Sequence, residues 1–236
     1  MDSIESVGEL GTILGVWAHP DDEGYLSAGI MAAAVRNGQR VVCVSATRGE
    51  AADPERWPPE ELANIREAEI AECLSILGVT EHRWLDYADG GCAGIDPDVA
   101  AARIAVIIDE LGADTVLTFG PDGQTGHPDH VAVSDWCVRA VAQAAPMPSL
   151  YFASNTPEWV AAFAAMGKEL DIMMGAEELP STTRDELAIV VVLDDELLEL
   201  KERAMCAQAS QVLELRARMG PELYLELLRE EVFRLP

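Results

Sequence analysis

The strongest constraint on the fold is an alternation of short apolar runs with longer segments of helical periodicity. "TILGVWA" (12–18) is apolar, bounded by Gly11 and Pro20, and reads as a buried strand. The Ala-rich "GYLSAGIMAAAVRN" (24–37) then reads as a helix, with Gly38 where a C-terminal capping residue belongs. "RVVCVSA" (40–46) is a β-branched strand. Residues 59–78 form a helix that opens at Pro59 and places Leu62, Ile65, Ile70, Cys73, Leu74 and Leu77 along one side. The same rhythm predicts a strand at 82–87, a helix at 97–112, a strand at 114–120, a helix at 129–144 and a strand at 148–154. Strands and helices alternating at this spacing imply an α/β fold with a mostly parallel sheet flanked by helices.

Beyond residue 154 the rhythm loosens. Residues 155–186 read as an insertion placed to line a pocket, with Met166, Met173 and Met174 as fillers of core gaps and a turn-rich "LPSTTRDE". "LAIVVVL" (187–193) resumes as a strand, a long helix spans 194–219, and Pro221 restarts a helix in "MGPELYLELL". Neither a linker nor a repeat divides the chain, so 1–236 is expected to form a single Rossmann-like domain.

The charge balance narrows the partners. With 42 acidic against 16 basic residues the formal net charge is −26, which repels nucleic acid and anionic membrane surfaces. "MDSIESVGELG" at the start lacks a signal peptide's basic and apolar regions. The longest clean apolar run, "LAIVVVL", falls far short of the roughly 20 residues that a membrane span needs. Five scattered cysteines, never in a CxxC pair, read as reduced thiols rather than a disulfide frame or structural zinc site. A soluble cytoplasmic protein is expected, with a small-molecule partner, no nucleic acid, no membrane and an oligomeric state left open.

Two loops carry the chemistry. The first strand feeds "AHPDDEG" (18–24), which crowds His19, Asp21, Asp22 and Glu23 at a strand's carboxyl end. Three carboxylates there exclude a pyrophosphate, so this is not a dinucleotide-binding turn. The fourth strand leads into "GPDGQTGHPDHVAVSDW", with His127, Asp129 and His130 at a helix entrance. Open α/β sheets place ligands at the carboxyl ends of strands, and strands one and four are commonly neighbours, so the loops are expected to meet. An imidazole and a carboxylate from the first loop with an imidazole from the second make a three-ligand set with one position left for water. Catalytic zinc uses that arrangement, and non-haem Fe(II) uses the same donors; Mg²⁺ and Ca²⁺ prefer oxygen shells. Histidine capping beside incidental charges and a regulatory metal site are the competing readings. Glu23 reads as a first-turn residue favoured by the helix dipole, and Arg66 on its own as a solvated residue paired with Glu67 or Glu69.

At these residues the chain resembles the LmbE/PIG-L family of zinc-dependent N-deacetylases, which act on N-acetylglucosamine-type substrates. "AHPDDE" (18–23) and "GHPDH" (126–130) carry the resemblance. Softer matches are "TRGE" (47–50), "NIREAEIAECLSILGV" (64–79), "LDYADGG" (85–91) and "KERAMCAQASQ" (201–211). The resemblance implies metal ligands at His19, Asp22 and His130, a general base at Asp21, and His127 with a supporting Asp129 near the reacting carbonyl. It places substrate contacts at Arg66, Asp89 and Glu50. It also implies one Zn²⁺ per chain, with Fe²⁺ or another divalent transition metal as alternatives, and an N-acetylated amino sugar or its conjugate as substrate. In one departure, the family's usual histidine before "xSQ" is Gln208 here. The same site also suits an amidase cleaving a larger amide, such as a thiol conjugate, or a metal-dependent binding protein without turnover.

Overall fold

Strand β1 (Ile13–Trp17) is buried at every residue, as its unbroken apolar sequence demands of a strand covered on both faces. It lies between β2 (Val41–Ser45) and β4 (Thr115–Phe119), parallel to both. The computed structural model describes residues 4–169 and 179–236; Met173, Met174 and the side chain of Met166 lie outside the described residues. The sheet continues through β3 (Glu81–Trp84), β5 (Ser149–Ala153), β6 (Leu187–Val192) and β7 (Glu230–Arg234), in the order β3-β2-β1-β4-β5-β7-β6. All of these strands run parallel except β7, which is antiparallel to its neighbours β5 and β6.

The direction of strand progression reverses between β1 and β4. Helices α1 (Asp22–Arg36) and α2 (Pro59–Leu77) therefore cover one face, and α3 (Pro97–Leu111) and α5 (Pro128–Val141) the other. Between β4 and α5 lies one short turn, α4 (Gly123–Gly126). The later helices are α6 (Pro157–Glu169), α7 (Asp195–Ala207), α8 (Ala209–Met219) and α9 (Pro221–Leu228). Local chemistry sets several of these ends. Proline opens α2, α3, α5 and α9, and Gly78 ends α2 in the left-handed conformation at φ +79°. Under the sheet's carboxyl end, Trp17 packs edge-on against Phe119 with ring centroids 5.2 Å apart, fixing the strands whose following loops meet above.

Two elements differ from the sequence reading. The helix expected over 194–219 breaks at Gln208, whose backbone leaves the helical region at ψ +54°. Its side chain turns inward to Glu23, while the Ser210 N–H and hydroxyl both bond the Glu69 carboxylate, so α8 departs in a new direction. The sequence pattern does not signal strand β7, because "EEVFR" opens with two acids. Both are neutralised by tertiary partners, Glu230 by Arg184 at 2.8 Å and the buried Glu231 by Lys201 at 2.7 Å. All five cysteines are free thiols, and no described helix is long and apolar enough to cross a membrane.

Candidate metal centre and active site

The loops after β1 and β4 do meet. His19 and Asp22 come from the first, His130 from the first turn of α5, and each is 8% exposed. His19 Nδ1 lies 3.2 Å from His130 Nε2 and 3.6 Å from Asp22 Oδ2, while His130 Nε2 lies 3.4 Å from Asp22 Oδ1. The opposite ring edges decide what these atoms are. His130 Nδ1 faces the Gly123 carbonyl at 3.0 Å, and a carbonyl only accepts, so that nitrogen carries the proton. His19 Nε2 faces Asp89 Oδ1 at 3.1 Å and Asp129 Oδ2 at 3.4 Å and donates to them. The two inner nitrogens are thus lone pairs, converging with a carboxylate. Phe119 stacks on the His130 ring at 4.1 Å and 9°, fixing its plane.

Three acceptors this close need a cation. Zinc–ligand bonds of about 2.0–2.1 Å around a tetrahedron put ligand atoms about 3.3–3.4 Å apart; here the two ring nitrogens are 3.2 Å apart, and each lies 3.4 or 3.6 Å from a different oxygen of the Asp22 carboxylate. The donor set fits such an ion. Without one, a shared proton does the same work. Burial opposes a charge on His19, but the hydrogen bonds to Asp129 and Asp89 and the nearby Asp22 outweigh it and raise its pKa to about 10. Burial and the His19 charge together push His130 down to about 3. A metal ion would displace that proton.

Two neighbouring groupings share His19. His19, His127 and His130 bring ring nitrogens within 4.8 Å of one another, as do His19, Asp89 and Asp129 through ring and carboxylate atoms. The second is a hydrogen-bonded support, since its carboxylates already accept N–H groups. Asp129 Oδ2 accepts from Gly90 N at 2.8 Å and Oδ1 from Cys92 N at 3.0 Å, and Asp89 Oδ2 accepts from Ala51 N at 2.8 Å. His127 Nδ1 accepts from the backbone N–H of Asp129 at 3.2 Å and so caps α5, leaving Nε2 as its N–H. The capping reading of the sequence therefore holds for His127. The expected support of His127 by the Asp129 carboxylate does not hold, because that carboxylate turns inward, is fully buried, and serves His19 instead.

Asp21 sits at the entrance to α1 in a backbone conformation that side chains rarely adopt, φ +115° and ψ −31°. Glu23 Oε2 holds its N–H at 3.0 Å, and Arg66 Nη2 lies 3.2 Å from its Oδ2. Burial, resisted by the Arg66 charge and reinforced by that of Asp22, lifts the Asp21 carboxyl to about 7. Arg66 is not the solvated helix residue of the simpler expectation. It is 3% exposed and donates to the carbonyls of Gly49, at 2.9 Å, and Pro20. Gly49, at φ +66°, leaves the guanidinium room that a Cβ would take. Glu67 and Glu69 have other partners, Arg48 and Ser210. Of the other expected substrate contacts, Asp89 joins the His19 support and Glu50 Oε1 accepts the Asp89 N–H at 2.9 Å; Glu50 Oε2 is buried without a partner.

Sequence reasoning missed the work of Glu23 and Gln208. Glu23 is fully buried, and its Oε1 accepts from Gln208 Nε2 at 2.6 Å and from the Cys73 thiol at 3.6 Å. Burial and the neighbouring Asp21 charge raise its carboxyl to about 7. Glu23 does stand in the first turn of α1, as the sequence reading has it, and from there it also serves as an internal strut. Gln208, 1% exposed, reaches the site through Glu23 and the Asp21 backbone.

A family model described as GlcNAc-PI de-N-acetylase (PIG-L) matches residues 14–141, more than half of the chain. A 1D-myo-inositol 2-acetamido-2-deoxy-alpha-D-glucopyranoside deacetylase from Kineococcus radiotolerans is 36% identical over 61% of this chain and 48% of its own, so the chain spans about half the length of that relative. A protein of the same name from Acidothermus cellulolyticus is 30% identical over 85% of this chain and 80% of its own. The fold matches that of the N,N'-diacetylchitobiose deacetylase from Pyrococcus horikoshii, with a TM-score of 0.69, 21% identity and coverage of 99% and 86% of the two chains. The matched region holds both His-Pro-Asp loops, and this chain belongs to the PIG-L family.

Proposed function

We propose that the chain is a metal-dependent hydrolase that removes the acetyl group from an N-acetylated amino sugar or its conjugate, with zinc held by His19, Asp22 and His130. One observation carries this reading: two imidazole lone pairs and a carboxylate converge at 3.2–3.6 Å while each ring's outer nitrogen is already engaged. Relatives named as deacetylases of an acetamidoglucopyranoside linked to inositol support the substrate class. When bound, zinc supplies a Lewis acid and lowers the pKa of a coordinated water to about 7.

The remaining work falls to this chain's own side chains. Asp21 takes a proton from the attacking water as its oxygen adds to the amide carbonyl carbon. That proton passes to the amide nitrogen as the C–N bond breaks, and acetate and a free amine leave. Burial raises this carboxyl above the ordinary carboxylate range, which suits proton transfer in both directions. Arg66 and Glu23 hold Asp21 from its side chain and its backbone. The His127 Nε2–H, its tautomer set by the helix cap, donates to the carbonyl oxygen as negative charge gathers there. Asp89 and Asp129 keep the His19 Nδ1 lone pair pointed inward. The test is elemental analysis beside amine release from N-acetylglucosamine and its inositol conjugate. About one zinc per chain and activity abolished by chelation and restored by zinc are expected. Metal and sugar binding with no amine released would refute the reading.

A further inference from the structure

A cavity of about 200 Å³ opens directly off Asp22 and His130. Its walls come from several elements: Leu26 of α1, Phe119 of β4, Trp159 and Phe163 of α6, Met219 of α8 and Leu227 of α9. Polar side chains also reach the wall, but most are already engaged with protein. Glu231 accepts from Lys201 Nζ at 2.7 Å and from the backbone of Gly29 and Ile30 at 2.7 and 2.8 Å. Glu230 pairs with Arg184, and Ser154 bonds Thr182 at 2.8 Å. Asn155 Nδ2 donates to Gln124 Oε1 at 3.0 Å and to the Pro180 carbonyl at 3.1 Å, leaving Gln124 Nε2 as a buried donor without a partner. A sugar ring with its hydroxyls would find few partners in such a space, whereas an apolar group would fill it.

The position of the cavity says which end of the substrate enters. It touches Asp22 and His130, but Asp21, His127, Asp89 and Glu50 are not on its wall. The amine that leaves must receive its proton from Asp21, so the amine side of the amide lies away from the cavity and the acyl side faces it. An acetyl methyl would leave most of this volume empty. An apolar cavity of about 150 Å³ takes a benzene ring, so this one takes an acyl chain of about six carbons. We propose that the cavity is an acyl pocket and that the favoured amides carry an apolar N-acyl chain longer than acetyl. The proposal rests on Asp22 and His130 marking the reacting centre.

The test uses the zinc-loaded full chain with N-acetyl-, N-butanoyl-, N-hexanoyl- and N-octanoylglucosamine, together with the octyl glycoside of N-acetylglucosamine. Each methylene that becomes buried is worth up to about fourfold in kcat/KM, so hexanoyl should exceed acetyl by at least about tenfold, with the gain levelling off at octanoyl. Leu26→Trp and Leu215→Trp fill the cavity from two different helices, and both should pull the hexanoyl-to-acetyl ratio toward about 1. Turnover of acetyl with a flat or falling chain-length profile overturns the acyl pocket and leaves the deacetylase reading standing. A gain with the octyl glycoside alone overturns it as well, by assigning the cavity to the sugar's substituent. Failure of every compound to release amine overturns the deacetylase reading, and the acyl pocket with it.

Discussion

Replacing Asp129 with asparagine tests the arrangement around His19 most directly. The Asp129 carboxylate is fully buried and accepts three N–H groups, from Gly90 at 2.8 Å, Cys92 at 3.0 Å and His19 Nε2 at 3.4 Å. Asparagine offers one oxygen and an NH₂ group. If its oxygen serves Gly90 and His19, the NH₂ meets the Cys92 N–H, and the opposite flip sets it against the other two. Either way a buried donor faces a donor, and the remaining bonds lose their charge assistance. Hydrogen bonds to charged groups contribute about 1.5–3 kcal/mol and an unsatisfied buried donor costs about 1–3 kcal/mol, so Asp129→Asn should lose roughly 3–5 kcal/mol of stability. Zinc affinity should fall about 10–100-fold, because His19 loses the partner that orients it. Burial alone would raise the Asp129 carboxyl, but His19 and the two backbone N–H groups hold it below its usual value. Its stabilisation is therefore present above the unfolded carboxyl pKa of about 3.9 and is lost as pH falls through the lower folded value. Wild type and variant should converge in stability at strongly acidic pH. Denaturant titration and competition with a chelator read the two effects. Unchanged zinc affinity with a collapsed kcat would refute the reasoning and return Asp129 to the support of His127.

Asp21→Asn should keep its zinc while kcat drops about 10²–10⁴-fold; loss of metal or near-normal turnover would sink the assignment of Asp21 as base. In the wild type kcat/KM should fall as acid protonates Asp21, whose carboxyl burial raises above its ordinary value, and this limb should vanish in the variant. His130→Ala should lose zinc by elemental analysis, whereas His127→Ala should retain it and lose turnover. Gln208→Ala removes the 2.6 Å donor to the buried Glu23 carboxylate and should cost roughly 1.5–3 kcal/mol of stability with zinc stoichiometry unchanged; lost zinc would show that Gln208 reaches the metal site directly.

Much of the fold was legible because parallel strands buried on both faces must be apolar throughout, and "TILGVWA" and "RVVCVSA" are. Where the reading failed, tertiary partners overrode local pattern. "EEVFR" resembles the charged end of a helix until Lys201, 30 residues earlier in the chain, neutralises Glu231 inside the protein. Nothing local in the helical sequence around Gln208 marks a break either; the break follows from Glu23 and Glu69, which lie far away in sequence and draw in Gln208 and Ser210.

The site divides along the same line. Residue type and position at a strand end announced a set of two imidazoles and a carboxylate drawn from the two loops, because such groups crowded at a sheet's carboxyl edge have few stable arrangements without a cation; the choice of His19, Asp22 and His130 within that set came from the family resemblance. Which carboxylate serves which imidazole was not legible, since that depends on loop paths. The Gly90 and Cys92 N–H groups capture Asp129 before it could reach His127, and Asp89 completes the support of His19 from a loop about 40 residues away from Asp129. Gln208 carries this furthest. A histidine at that position would be able to hold a positive charge against Glu23, whereas an amide cannot, so here a neutral donor faces a carboxyl already raised to about 7 by its burial. The same carboxylate grips the Asp21 N–H and helps hold its unusual backbone. The substitution is therefore expected to act on how firmly the proposed base is held.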